Sequence, residues 1–178
     1  MISHPTLKAP PRWLLLAAMF TVALLALLMF LNSLIVSHAA PQGMVSLQLA
    51  ATAEHTINIM RSWGDEGLYW ASVWLWLEFL FVPAYLVTLL GLTSYLLSDR
   101  PGVREQKTGR WVKVLFVGMA TADAAENVVL LSNLSAPSDN MSVAATLLAL
   151  AKFTCLVIGI TGLIMIRAAR RRPLHPEH

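Results

Sequence analysis

VGMATADAAENVVLLSNL, residues 117–134, has the apolar content of a membrane-crossing helix, yet it carries Asp123, Glu126 and Asn127 in its middle. An ionised side chain at the centre of such a helix costs roughly 2.5 to 3.5 kcal/mol even on the most lenient insertion scale. Groups of this kind pair inside a bundle or line water, so the fold follows from finding their partners. Working outward, the apolar run containing them spans about 111–134, and three others accompany it at about 12–37, 68–97 and 142–167. Each meets or exceeds the roughly 20 residues needed to cross a hydrocarbon core.

The bulk composition agrees. Of 178 residues, 57% are hydrophobic and only 13% charged, and the mean hydropathy is +0.63, too apolar for a soluble domain of this length. Backbone amides in lipid are satisfied only within helices or closed barrels, and no short alternating strands stand out. The expected fold is an all-α integral membrane protein, a four-transmembrane-helix bundle. With no internal repeat or low-complexity tract, residues 1–178 form a single four-span domain. The first run resembles a secretory signal, with SHAAP offering a cleavage site at Ala39. Its apolar region of roughly two dozen residues exceeds the 7 to 15 usual for a signal, so a retained anchor is expected. The lone Cys155 has no internal disulfide partner and reads as a small hydrophobe.

Charge sets the orientation. Of thirteen Lys and Arg, two lie in the N-terminal arm (Lys8, Arg12), five in or beside the loop at 98–110 (Arg100, Arg104, Lys107, Arg110, Lys113) and four in or beside the tail at 168–178 (Arg167, Arg170, Arg171, Arg172). The opposite side holds only Arg61, against Glu54, Asp65, Glu66 and Asp139. By the positive-inside rule both termini are cytoplasmic, as in a multi-pass protein of a bacterial inner membrane. Trp13 and Trp111 fall at the cytoplasmic ends, Trp63 and Trp70 near the outer ends. The net charge of +3 therefore describes topology and attraction to lipid headgroups. RAARRRP reads as a stop-transfer flank, and no nucleic-acid partner is expected.

The outer segment, 39–67, contains a candidate short amphipathic helix: Thr52 as N-cap, Glu54 in the first turn, and Ala53, Ile57, Met60 and Trp63 at helical spacing. As a cap on the bundle it would carry His55 or Arg61 towards the membrane. The preceding MVSLQLA alternates apolar and polar residues and reads as a short extended segment. NLS at Asn133 and NMS at Asn140 match the glycosylation pattern but carry no functional weight.

The intramembrane polar groups share a depth. Glu78 and Lys152 lie about ten residues below the outer ends of spans two and four, and Asp123 and Glu126 about eleven and eight below Leu134. All four reach a level roughly 12 to 17 Å from the outer boundary, near the midplane. They also share direction. Asp123, Glu126 and Asn127 have i, i+3, i+4 spacing, flanked by Gly118, Ala122 and Ala125 for close helix approach. Lys152 lies on a stripe with Ala145, Ala149 and Gly159; Trp74, Glu78, Phe81 and Tyr85 share a face, with Pro83 expected to kink the helix beside the acid. Asn32 of span one and Trp74 are outer-side contributors, with His55 and Arg61 joining if the outer segment dips inward.

Three carboxylates and one ammonium leave two formal negative charges over, and like charges in low dielectric resist joint ionisation. Protons, a metal, a cationic ligand or Arg61 would neutralise the surplus. The reading adopted is a site of Glu78, Asp123, Glu126, Asn127, Lys152 and Tyr85 that binds protons or a small cationic or amphipathic ligand, in a transport, sensing or carrier-type component. A membrane-embedded enzyme acting on a lipid-soluble substrate is the first alternative; if metal-dependent, it would use Glu78, Asp123 and Glu126 as oxygen ligands. The spans contain no histidine, and His38 and His55 lie at or beyond the outer boundary. A structural subunit with a buried ion-pair network is the second alternative. Trp70, Trp74 and Trp76 form either an aromatic wall above Glu78 or, the preferred reading, an interface belt. No H-E-x-x-H, CxxC or Gly-rich phosphate loop names a reaction or a cofactor. Besides the lipid bilayer, a homo-oligomer or partner membrane subunit is expected for any transport role, because four spans enclose little space.

Overall fold

The computed structural model describes residues 9–98 and 102–169. Its elements are α1 (Arg12–Ser33), α2 (Met44–Gln48), α3 (Ala53–Leu97), α4 (Val103–Ser135) and α5 (Asp139–Ala169). No strand occurs among the described residues. The helices α1, α3, α4 and α5 are each long and apolar enough to cross a membrane. Lys8, Arg100, Arg170, Arg171 and Arg172 lie outside the described residues.

The outward faces explain why the pattern looked apolar all round. Leu16, Met19, Met29, Trp76, Val157 and Ile164 are all strongly exposed, a surface that would associate in water and that lipid tolerates. Inward faces are narrower. On α1 only Leu14, Leu24, Leu28 and Leu31 are buried, three of them at i, i+4, i+7 spacing, and they pack on α3. The α4–α5 hairpin is the most intimate contact. On α5, Ala145, Ala149, Lys152 and Gly159 form the buried stripe expected of them. A Cβ at Gly159 would meet the Phe116 ring at 2.5 Å, so glycine there is what lets α4 close on α5. Gly118, by contrast, is exposed, although a Cβ there would lie 3.8 Å from Cys155 Sγ of α5; Met119 and Ala120 take the buried positions beside it.

Two apolar layers sandwich the middle of the bundle. One, built from Leu96, Leu97, Val112, Phe116, Leu163 and Ile166, joins the C-terminal ends of α3 and α5 to the start of α4. Gly91 abuts Trp13 and Leu14, which brings the start of α1 to the same end. The described basic residues Arg12, Arg104, Lys107, Arg110, Lys113 and Arg167 therefore gather at one end of the bundle. The other layer includes Leu28, Leu31, Ile35, Met44, Leu47, Ile59, Leu75 and Leu130, at the opposite end.

The segment between α1 and α3 departs from expectation twice. MVSLQLA is not extended: Met44–Gln48 form one helical turn, because Asn32 Oδ1 accepts from the Met44 amide (2.8 Å) and its amide donates to the Gln42 carbonyl (3.3 Å). Gly43 just before it has φ 60°, and a Cβ there would collide with the Asn32 amide. The helix capped by Thr52, whose hydroxyl accepts from the His55 amide, is present but is no separate element. It runs into span two with only a break at Gly64 (φ 61°, ψ −170°). Its buried stripe is Thr56, Ile59, Trp63 and Gly67; of the expected Ala53, Ile57, Met60 and Trp63 face, Trp63 is buried and the other three sit one step round from the stripe.

Candidate functional site

Between the two layers, α3, α4 and α5 bring their charged groups together. Glu126 and Asn127 are 0% exposed, Asp123 4%, Glu78 5% and Lys152 6%. Lys152 Nζ is the point of convergence. It donates a hydrogen bond to Asp123 Oδ1 at 2.8 Å, and lies 2.7 Å from Glu126 Oε2 and 3.9 Å from Glu78 Oε1. The Glu126 contact is close but misaligned for a hydrogen bond, so it is an ion pair only. Tyr85 donates its hydroxyl to the second oxygen of Asp123 (2.9 Å). Both Asp123 oxygens are thereby satisfied.

Other polar atoms of the cluster are not. Glu78 Oε2, Glu126 Oε1 and both polar atoms of Asn127 are buried without a hydrogen-bond partner among the described residues. Leaving such groups unmade costs about 1 to 3 kcal/mol each, more when charged. An arrangement with this many open valences in one place has capacity for a further hydrogen-bonding or cationic group.

That group has a place to sit. A cavity of about 420 Å³ is lined by Glu78, Asp123 and Lys152, together with Tyr85, Trp74, Phe81, Thr21, Leu25, Val45, Gln48, Thr88, Leu89, Met119, Phe153 and Leu156. Its size is within the range of small-molecule sites, and its wall is apolar except for a few converging polar groups. Glu126, paired to the ammonium, and Asn127 are not part of this wall. Phe153 places its ring 5.3 Å from Lys152 Nζ, and Phe81 packs edge-on against Tyr85. Trp74 is fixed by donating Nε1–H to the Leu28 carbonyl (3.0 Å).

Set against the sequence reading, Glu78, Asp123, Glu126, Lys152 and Tyr85 are brought together, Asn127 is buried beside Glu126, and Trp74 lines the cavity. Of the four outer-side contributors only Trp74 joins them; Asn32, His55 and Arg61 do not. Asn32 holds α2, as above, and His55 and Arg61 are exposed, because the buried face of their helix passes through Thr56 and Ile59. Of the aromatic wall, only Trp74 survives: Trp76 is 66% exposed and Trp70 half-buried. For a metal, no group of three or more His, Cys, Asp or Glu suited to one occurs among the described residues. Lys152 Nζ stands where the three carboxylates converge, and its charge disfavours a metal there.

Sequence reasoning missed Thr21, Gln48 and Thr88. Thr21 Oγ1 and Thr88 Oγ1 share a hydrogen bond of 2.9 Å across α1 and α3, a polar pair at matched depth that was a legible signal. Gln48 was hidden by the extended reading of its segment. No family model matches the chain, and no curated protein and no solved structure matches it.

Proposed function

We propose that this chain is a multi-pass membrane protein whose buried site of Glu78, Asp123, Glu126, Asn127, Lys152 and Tyr85 binds a small cationic, amphipathic ligand, as a carrier or sensing component. The observation that carries this reading is Glu78: it lines an apolar cavity of about 420 Å³ with its Oε2 unpartnered. Asp123 is committed to Lys152 and Tyr85, and Glu126 to Lys152. Glu78, 3.9 Å from the ammonium, is the loosely held carboxylate and the counter-ion for a ligand's charge. With Glu126 2.7 Å from the same ammonium, three carboxylates face one Lys152, a formal surplus of two negative charges that one retained proton and one monocation would balance. A second proton on the cluster would serve the same balance between binding events.

The orientation that accompanies this reading places both termini in the cytoplasm, since the basic residues gather at one end. A cysteine at the Arg61 position should react with an impermeant maleimide in intact cells and one at the Lys107 position should not, in a Cys155→Ser background; the reverse pattern would contradict it.

The test of the site is the melting temperature in nanodiscs with and without n-decylamine. The wild type should be stabilised and Glu78→Gln should not, while both melt cooperatively in the absence of amine. Stabilisation of both to the same extent would remove Glu78 from the account. A second reading, a membrane-embedded enzyme acting on a lipid-soluble substrate, is favoured by Lys152 and Tyr85 opening onto the same cavity. It predicts a mass change in amphiphile recovered after incubation with the protein; unchanged amphiphile supports the binding role alone.

A further inference from the structure

We propose that the cavity is loaded sideways from the bilayer, through a gap between α1 and α5, and that its ligand is a free amine carrying an apolar body. The inference rests on the ligand-site reading above and adds a route and a substrate class to it.

The ends of the cavity are closed. On the outer side α2 covers it with Val45 and Gln48. That turn is tied down at both ends: the Met44 amide to Asn32 (2.8 Å), the Gln48 carbonyl to the Thr146 hydroxyl (3.0 Å) and the Ala51 amide to the same hydroxyl (3.2 Å). At the other end Leu89 and Leu156 pack on Val82, Met119 and Ala120, and Leu89 continues into the layer around Phe116 and Leu97. The flank is different. The helix α1 packs on α3 but has no substantial contact with α4 or α5. On this flank Leu25 of α1 and Phe153 of α5 both line the cavity and remain 44% and 39% exposed. In a membrane that exposure faces hydrocarbon.

Chemistry narrows the occupant. Glu78 Oε2 is a buried carboxylate oxygen of a wall residue with no hydrogen-bond partner among the described residues, and a monocation offsets one of the cluster's two surplus negative charges. The rest of the wall is apolar, so an apolar body fills it. The site lies roughly 12 to 17 Å below the outer boundary by helix rise, deeper than a lipid headgroup sits. A phospholipid amine would also carry its phosphate towards Glu78 and Asp123. A free long-chain amine avoids both penalties.

The experiment follows association by stopped-flow tryptophan fluorescence, with protein in phosphatidylcholine nanodiscs and ethylamine, n-octylamine, n-decylamine and n-dodecylamine as probes. Loading from the bilayer predicts that the association rate, referred to aqueous amine, rises roughly tenfold for each two added methylenes, as partitioning does. Leu25→Trp should slow association and release of decylamine together, and Leu25→Ala should speed both. Ethylamine associating as fast as decylamine and competing with it would overturn the lateral route while leaving the cation site standing. Rates indifferent to both Leu25 substitutions would also overturn it. If none of the amines binds the wild type, the ligand-site reading itself fails, and the route with it.

Discussion

Lys152 is a single ammonium held within 3.9 Å of three carboxylates. Removing one partner of a buried ion pair leaves uncompensated charge and typically costs about 3 to 5 kcal/mol. Lys152→Met should therefore lower unfolding stability by about that amount, measured by denaturation in nanodiscs. Adding Glu126→Gln to Lys152→Met should restore part of the loss, since it removes one of the stranded charges; strictly additive losses would mean that the two groups do not interact. At this scale the sequence was informative. The i, i+3, i+4 spacing of Asp123, Glu126 and Asn127 and the small-residue stripe under Lys152 identify a shared interior because charge in lipid has so few tolerable places. What it could not supply was which carboxylate stays free. That depends on the placement of the Tyr85 hydroxyl and the Lys152 tip to within an ångström, and periodicity does not resolve such distances.

Among elements, α2 is the smallest and has the most local dependence. Its first amide is held by Asn32, whose own amide fixes the loop carbonyl of Gln42. Asn32→Ala should cost about 1 to 3 kcal/mol in unfolding stability through the acceptor and donor left unmade. It should also speed exchange of the Met44–Gln48 amides selectively, read by hydrogen exchange; uniform protection along the segment would contradict the role given to Asn32. The long helices were readable from their apolar runs, and the start of α3 from Thr52 as its N-cap. The turn at Met44–Gln48 was not, because its alternation of apolar and polar residues fits one turn of helix and a short strand equally, and only a tertiary contact from α1 decides between them. The buried face of the Ala53–Trp63 stretch was misread for a related reason. A bundle-capping helix buries small polar residues such as Thr56, which bonds to the Ser142 hydroxyl (3.0 Å), and hydrophobicity alone does not mark it.

The whole molecule combines a tight α3–α4–α5 core with a peripheral α1, and its polar site opens where α1 and α5 stay apart. Four apolar spans were legible in composition and length. The cavity was not, since it results from how little α1 touches α4 and α5. The ligand proposed for it follows from charge balance and apolar shape, and that proposal depends on Glu78 being the counter-ion. Native mass spectrometry of the detergent-released protein titrated with n-decylamine tests this most directly. The account predicts a one-to-one amine adduct on the wild type that is lost in Glu78→Gln. An adduct of equal abundance on both proteins, or none on the wild type, would contradict it.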